Sequence, residues 1–175
     1  QGRLWSHRRN PIVMSGPDFI IAGTQKAGTT WLKDHLAAHP QVAMVKGTPH
    51  YFDRGWQTQS EDSYRALFAP TPGQIAGEKS TEYFDVNDTV GIAQRMHKLA
   101  PDVKLIVILR DPVKRALSAF DHVITSGLMA IPQDAVATLF EQNAYGFVQR
   151  GDYFAQIESY LSVFPAEQML FLIFE

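Results

Sequence analysis

Short apolar runs alternate with stretches of helical periodicity along most of the chain. The first run, residues 19–22, lies between Pro17 and Gly23, and a continuous run of that length suits a strand buried on both faces. From Thr29 the spacing changes. Trp31, Leu32, His35 and Leu36 fall on neighbouring stripes of a helix, a face expected to pack inward, until His39-Pro40 stops it. Residues 42–45 predict a second strand. Strand, glycine loop, helix and strand make a βαβ unit, which predicts a parallel sheet with a right-handed crossover. Residues 53–73 are polar and mixed, a surface excursion carrying a short helix. Residues 75–79 predict a further strand, and 90–99 a helix with Ile92, Met96 and Leu99 inward. The clearest strand is 104–109. It runs into Arg110-Asp111-Pro112, where Pro112 suits the first turn of a helix carrying Ala116, Phe120 and Val123. Helices at 135–144 and 153–164 and a last strand at 169–174 complete the pattern. Such alternation predicts an α/β fold, a P-loop-like central parallel sheet flanked by helices. The final strand ends almost at the last residue, so the domain is expected to lack its C-terminal part.

Composition narrows the function classes. Of 175 residues, 45% are hydrophobic and 19% charged, enough apolar material for a core and against wholesale disorder. Sixteen Lys and Arg against 18 Asp and Glu give a formal net charge of -2. That balance supplies no global basic field for nucleic acid or anionic lipid, so neither is expected as a partner, while a local basic site is compatible with it. Cysteine is absent, which excludes disulfide scaffolds and thiolate metal sites and agrees with a cytoplasmic setting. No apolar run approaches the ~20 residues of a membrane span. Residues 1–16 are basic without an apolar signal core and read as a linker or arm, leaving 17–175 as the domain. The six histidines are scattered without ligand spacing, so no metal is expected.

The candidate chemistry begins at Gly23-Thr-Gln-Lys-Ala-Gly-Thr-Thr30, between a predicted strand and a predicted helix. Two glycines let successive backbone N–H groups curl inward at the positive end of the helix dipole, a natural seat for phosphate or sulfate. An ordinary βα turn is the plain alternative. A P-loop NTPase carries lysine where this chain has Thr29, and the loop's own lysine, Lys26, lies inside the glycine bracket. Asp111, wedged between Arg110 and Pro112, belongs to an anion site rather than a magnesium site, so a Mg·ATP enzyme is disfavoured.

With these residues in view, the chain resembles the sulfotransferase superfamily that uses 3′-phosphoadenosine-5′-phosphosulfate (PAPS), and is most similar to its heparan-sulfate-type and bacterial branch. GTQKAGTTWL resembles the 5′-phosphosulfate loop and LIVILRDPVKRALSAF the 3′-phosphate strand and helix; PHYFD, GEKSTEYF and RGDYFAQIESYLSVFP are further similar pieces. The resemblance implies PAPS as donor, adenosine 3′,5′-bisphosphate (PAP) as product and no metal. It implies that Gln25, Lys26, Ala27, Gly28, Thr29 and Thr30 hold the 5′ end, with Lys26 neutralising the bridging oxygen, and that Arg110 and Ser118 hold the 3′-phosphate. On the acceptor side it implies His50, Asp53 and Tyr153, with Lys79 near the transferred group.

One departure bears on mechanism. Thr48 stands where the family carries its glutamate base, and threonine cannot serve as one at neutral pH. His50 is then the first candidate base, since imidazole titrates near neutrality, and Glu78 the second. Glu78 could equally form an ion pair with Lys79 or Arg110. Trp31 is expected in the core, and Lys114 and Arg115 on a solvated face. The acceptor is expected to be a small-molecule, carrier-bound or saccharide hydroxyl or amine, in the cytoplasm, or in the Golgi lumen for a polysaccharide. The chain could be part of a larger multidomain protein. The competing readings are a non-catalytic adenosine-bisphosphate-binding domain and a P-loop small-molecule kinase.

Overall fold

In the computed structural model, residues 16–84, 87–128, 136–141 and 144–175 are described. Among the described residues there are five strands, β1 (Phe19–Gly23), β2 (Val42–Met44), β3 (Ile75–Lys79), β4 (Lys104–Arg110) and β5 (Met169–Phe174). They form one sheet in the order β2-β3-β1-β4-β5, with every pairing parallel. Ile20 of β1 pairs with Glu78 on one side and Leu105 on the other. All five residues of β1 are buried, the reason its sequence reads as an unbroken apolar run.

The helices are α1 (Thr29–Ala37), α2 (Glu61–Arg65), α3 (Thr89–Leu99), α4 (Pro112–Thr125), α5 (Val136–Glu141) and α6 (Tyr153–Leu161). Pro112 opens α4, and the Asp111 carboxylate caps it by accepting from the Lys114 amide at 2.8 Å. Ile92, Met96 and Leu99 of α3 are buried. The main core packs β1, β3 and β4 against α3, α6 and an aromatic group that includes Tyr51, Phe52, Tyr64, Tyr83, Tyr160 and Phe164. Buried tyrosines must place their hydroxyls: Tyr160 donates to the Tyr83 carbonyl at 2.7 Å. Among the described residues, no helix is long and apolar enough to cross a membrane.

The structure corrects three expectations about packing. Trp31 is 64% exposed rather than in the core, and His35 is exposed beside it, their rings 3.9 Å apart. The positions of Trp31 and His35 and those of Leu32 and Leu36 are adjacent i, i+4 stripes. Only the leucine stripe turns toward the protein, half-buried, and α1 buries Thr29 alone completely. Arg115, expected on a solvated face, is fully buried, while Lys114 is exposed. Some elements are also shorter than expected. β2 stops at Met44 and α6 at Leu161. Of the helix expected at 135–144, α5 covers 136–141, and the expected arm lies almost wholly outside the described residues.

Topology positions the site. The chain leaves β1 toward β2 on one side, whereas β4 leads to β5 on the other. Adjacent strands whose connections diverge leave a crevice above their carboxyl ends, where α/β folds bind ligands.

Candidate active site

The loop from β1 to α1 sits at that crevice. The Thr24 N–H and hydroxyl both donate to the Ile108 carbonyl, at 3.0 and 2.9 Å, tying the loop's base to β4. Gly28 precedes α1 with φ 81°, and a Cβ there would lie 2.9 Å from the Phe174 ring, so both backbone and space require glycine. No acidic residue occupies the first turn of α1, leaving its positive dipole end unopposed. Lys26 holds a left-handed φ of 68°.

Arg110, at the end of β4, reaches this loop. Its Nη1 donates to the Lys26 carbonyl at 2.9 Å, a contact between residues 84 apart in sequence. Its guanidinium lies 5.2 Å from the Phe174 ring centre, and its buried Nε has no hydrogen-bond partner among the described residues. Ser118 lies two turns into α4, half-buried. Lys79, at the end of β3, approaches from the other side, its Nζ 3.5 Å from the Thr30 hydroxyl. Burial pushes the Lys79 ammonium below its ordinary pKa, Glu82 opposes that shift, and Lys33 adds to it.

His50 and Asp53, expected on the acceptor side, belong to a single wide helical turn after β2, Tyr51–Gly55, closed by the Gly55 N–H on the His50 carbonyl at 2.8 Å. His50 enters it with φ 54°. Non-glycine residues rarely adopt this conformation, and Lys26 and His50 are two of the three that do so among the described residues. His50 Nδ1 lies 2.9 Å from Asp53 Oδ2. With Nδ1–H donated to that carboxylate, Nε2 carries the lone pair. Arg54 Nη2 stands 3.4 Å from both ring nitrogens.

Tyr83 props this turn from below: the Tyr51 and Phe52 amides donate to its hydroxyl at 2.9 and 3.4 Å. Tyr64 stacks on Tyr51 with ring centres 4.2 Å apart, and its hydroxyl donates to Glu78 Oε1 at 2.6 Å. Glu78 is completely buried, and it bonds Tyr64 instead of forming the ion pair with Lys79 or Arg110 that the sequence left open. Desolvation drives its carboxyl up to about 8; the Tyr64 and Tyr83 hydroxyls oppose the shift and the Asp53 charge adds to it.

The structure thus gathers Lys26, Thr29, Thr30, Lys79 and Arg110 around the loop, with His50 and Asp53 on the adjoining turn. Tyr153, expected on the acceptor side, donates its hydroxyl to the Arg110 carbonyl at 2.9 Å. A cavity of about 370 Å³ opens next to Asp53, Arg54 and Glu82. Arg150 also lines it; it opens the similar piece RGDYFAQIESYLSVFP, but sequence reasoning gave it no role. Among the described residues, no group of three His, Asp or Glu side chains is arranged to hold a metal ion.

Comparison with known proteins agrees with this geometry. The sulfotransferase domain family model matches residues 16–175. Human heparan sulfate glucosamine 3-O-sulfotransferase 3B1 is 36% identical over 163 residues, covering 89% of this chain and 40% of that protein. The bifunctional heparan sulfate N-deacetylase/N-sulfotransferase 1 of Caenorhabditis elegans is 28% identical, over 93% of this chain and 20% of that protein. The chain therefore spans well under half the length of these curated relatives. A crystal structure of a sulfotransferase from Alicyclobacillus acidocaldarius superposes with a TM-score of 0.77 at 30% identity, covering 91% of this chain and 74% of that one. With the glycine loop and Arg110 at the carboxyl edge of a parallel sheet, the chain belongs to the sulfotransferase family, in its heparan-sulfate-type branch.

Proposed function

We propose that this domain transfers a sulfuryl group from PAPS to an acceptor hydroxyl or amine, with His50 as the base. One observation carries the reading: Arg110 bonds the Lys26 carbonyl at 2.9 Å, joining the two anion motifs into one site. The residues present fit a donor with phosphate at both ends. The glycine loop and α1 offer backbone N–H groups to the 5′ end, and Arg110 Nε, buried without a partner among the described residues, is a charged donor for the 3′ end alongside Ser118.

When bound, PAPS supplies a sulfuryl group on a phosphate leaving oxygen. Lys26 and Lys79 neutralise charge around that group, and Thr29 and Thr30 orient the 5′ end. Asp53 holds Nδ1–H of His50 so that Nε2 faces the acceptor and takes its proton. Glu78, neutral below about 8 and sealed in the core, is a poor base at neutral pH. The relatives named for heparan sulfate glucosamine support a saccharide hydroxyl as acceptor. A polysaccharide of that kind would carry the site to the Golgi lumen instead of the cytoplasm.

Calorimetry tests the donor site. PAP is expected to bind more tightly than AMP or ATP, with the same affinity in the presence of a metal chelator. Equal affinities for PAP and AMP would remove the 3′-phosphate site from the mechanism. Retained PAP binding with no transfer from labelled donor to saccharide, small-molecule or carrier-bound acceptors would favour the non-catalytic reading that Thr48 keeps open.

A further inference from the structure

Arg150 lies on the turn before α6 and touches two regions at once. Its Nη1 donates to Gln25 Oε1 in the phosphate loop at 3.0 Å, although the two residues are 125 apart in sequence. Its side chain also lines the cavity shared with Asp53, Arg54 and Glu82. That cavity borders Asp53, the partner of His50, so the Arg150 side chain spans from the loop to the turn that carries His50. We propose that Arg150 is a further catalytic residue, binding the sulfuryl oxygens at the junction of donor loop and acceptor cavity; the proposal rests on the sulfuryl-transfer reading above.

The backbone beneath Arg150 is held by the elements that carry the 3′-phosphate residues. Arg115, buried in α4, donates from Nη2 to the Phe147 carbonyl. Tyr153 donates to the Arg110 carbonyl at 2.9 Å. Between these two latches, Gly151 packs on the start of α4 so closely that a Cβ would lie 3.0 Å from Pro112 Cβ. The N–H groups of Gly151 and Asp152 close the turn on the Val148 and Gln149 carbonyls at 2.9 and 3.0 Å. A charge fixed this way before substrate arrives needs little reorganisation during reaction.

A guanidinium bonds an anion roughly twice as strongly as it bonds a neutral group, and in a two-pronged fork. During transfer the acceptor oxygen–sulfur bond forms while the sulfur–oxygen bond to the 5′-phosphate breaks. The electron pair stays on the phosphate oxygen beside Lys26, and the acceptor proton passes to His50 Nε2. The sulfuryl oxygens keep their charge throughout, so a cation between the two sides serves both halves of the step.

The test compares PAP, which lacks the sulfuryl group, with PAPS, which carries it, by calorimetry without acceptor. Arg150→Gln is expected to leave PAP affinity and melting temperature near wild type. It should weaken PAPS binding by about 10- to 100-fold, the worth of a charged hydrogen bond, and lower kcat. Arg150→Lys, which keeps the charge and guards against misfolding, should fall between the two. Equal losses of PAP and PAPS affinity would make Arg150 a structural strap, and no change in either would leave it outside the site; both outcomes overturn this proposal alone. Failure of the wild-type protein to bind PAP would overturn the donor reading and this proposal with it.

Discussion

Thr48 sits two residues before His50 and has no group that can accept a proton at neutral pH. On the proposed mechanism the work of a base falls to His50 on the neighbouring turn. There His50 is fixed in a conformation costing of order 1–3 kcal/mol, and its ring is oriented by a 2.9 Å contact to Asp53. Structures hold such strain where position matters more than local stability. His50→Ala should lower turnover by about 10²–10⁴-fold, the usual contribution of a general base, while PAP affinity stays unchanged, because the donor contacts come from other elements. Thr48→Glu should raise turnover by restoring a carboxylate. Full activity in His50→Ala would move the base elsewhere and leave the strained turn without a catalytic reason.

In the proposed mechanism two elements divide the donor between them: the loop before α1 would bring Lys26 to the bond being broken, and β4 would bring Arg110 to a phosphate that does not react. Lys26→Ala should act mainly on the chemical step, costing roughly 2.7–4 kcal/mol if it resembles loss of an oxyanion donor. Arg110→Ala should act mainly on donor affinity, by about 1.5–3 kcal/mol. Single-turnover rates alongside calorimetry separate the two, and identical patterns would refute the division. Arg110 also bonds the Lys26 carbonyl, so Arg110→Lys, which keeps the charge but loses the fork, reports how far the loop depends on that bond. The elements themselves were legible, since strands buried on both faces appear as apolar runs and Pro112 marks its helix. What escaped were relations between distant positions. Nothing local tells which of α1's two stripes meets the sheet, so the pattern alone puts Trp31 inside, where the fold leaves it exposed. Arg115 reads as an exposed helical cation until Phe147, 32 residues away, supplies its acceptor. Arg150 opens a family-like segment, but its contact with Gln25 exists only in the fold. His50, Asp53, Lys79 and Arg110 were readable only through motifs, and Tyr83, which supports the acceptor turn, was not singled out at all.

For the molecule as a whole, the parallel sheet delivers the loop, Lys79 and Arg110 from the carboxyl ends of β1, β3 and β4, and strand alternation separates neighbouring roles. Lys79 reaches the site, and Glu78, one residue earlier, turns into the aromatic core. That buried carboxyl couples the protein's stability to pH. In the folded protein Glu78 is pushed up to about 8 from an ordinary 4.5. Between those values the folded state holds a proton that the unfolded state has released. Stability from this group is therefore complete below about 4.5 and is lost as pH rises through about 8, with a slope of at most about 1.4 kcal/mol per pH unit, the value for one proton. Other groups titrate in the same range, so the informative quantity is the difference between wild type and Glu78→Gln, in which the neutral amide replaces the neutral acid and keeps an acceptor for Tyr64. Urea unfolding from pH 4.5 to 8.5 should show the wild type losing stability relative to Glu78→Gln as pH rises, with the two curves running parallel again beyond about pH 8. Curves that stay parallel throughout would show that Glu78 ionises normally in the folded state. The buried Tyr64–Glu78 contact would then be that of a carboxylate, and Glu78 would return as a candidate base.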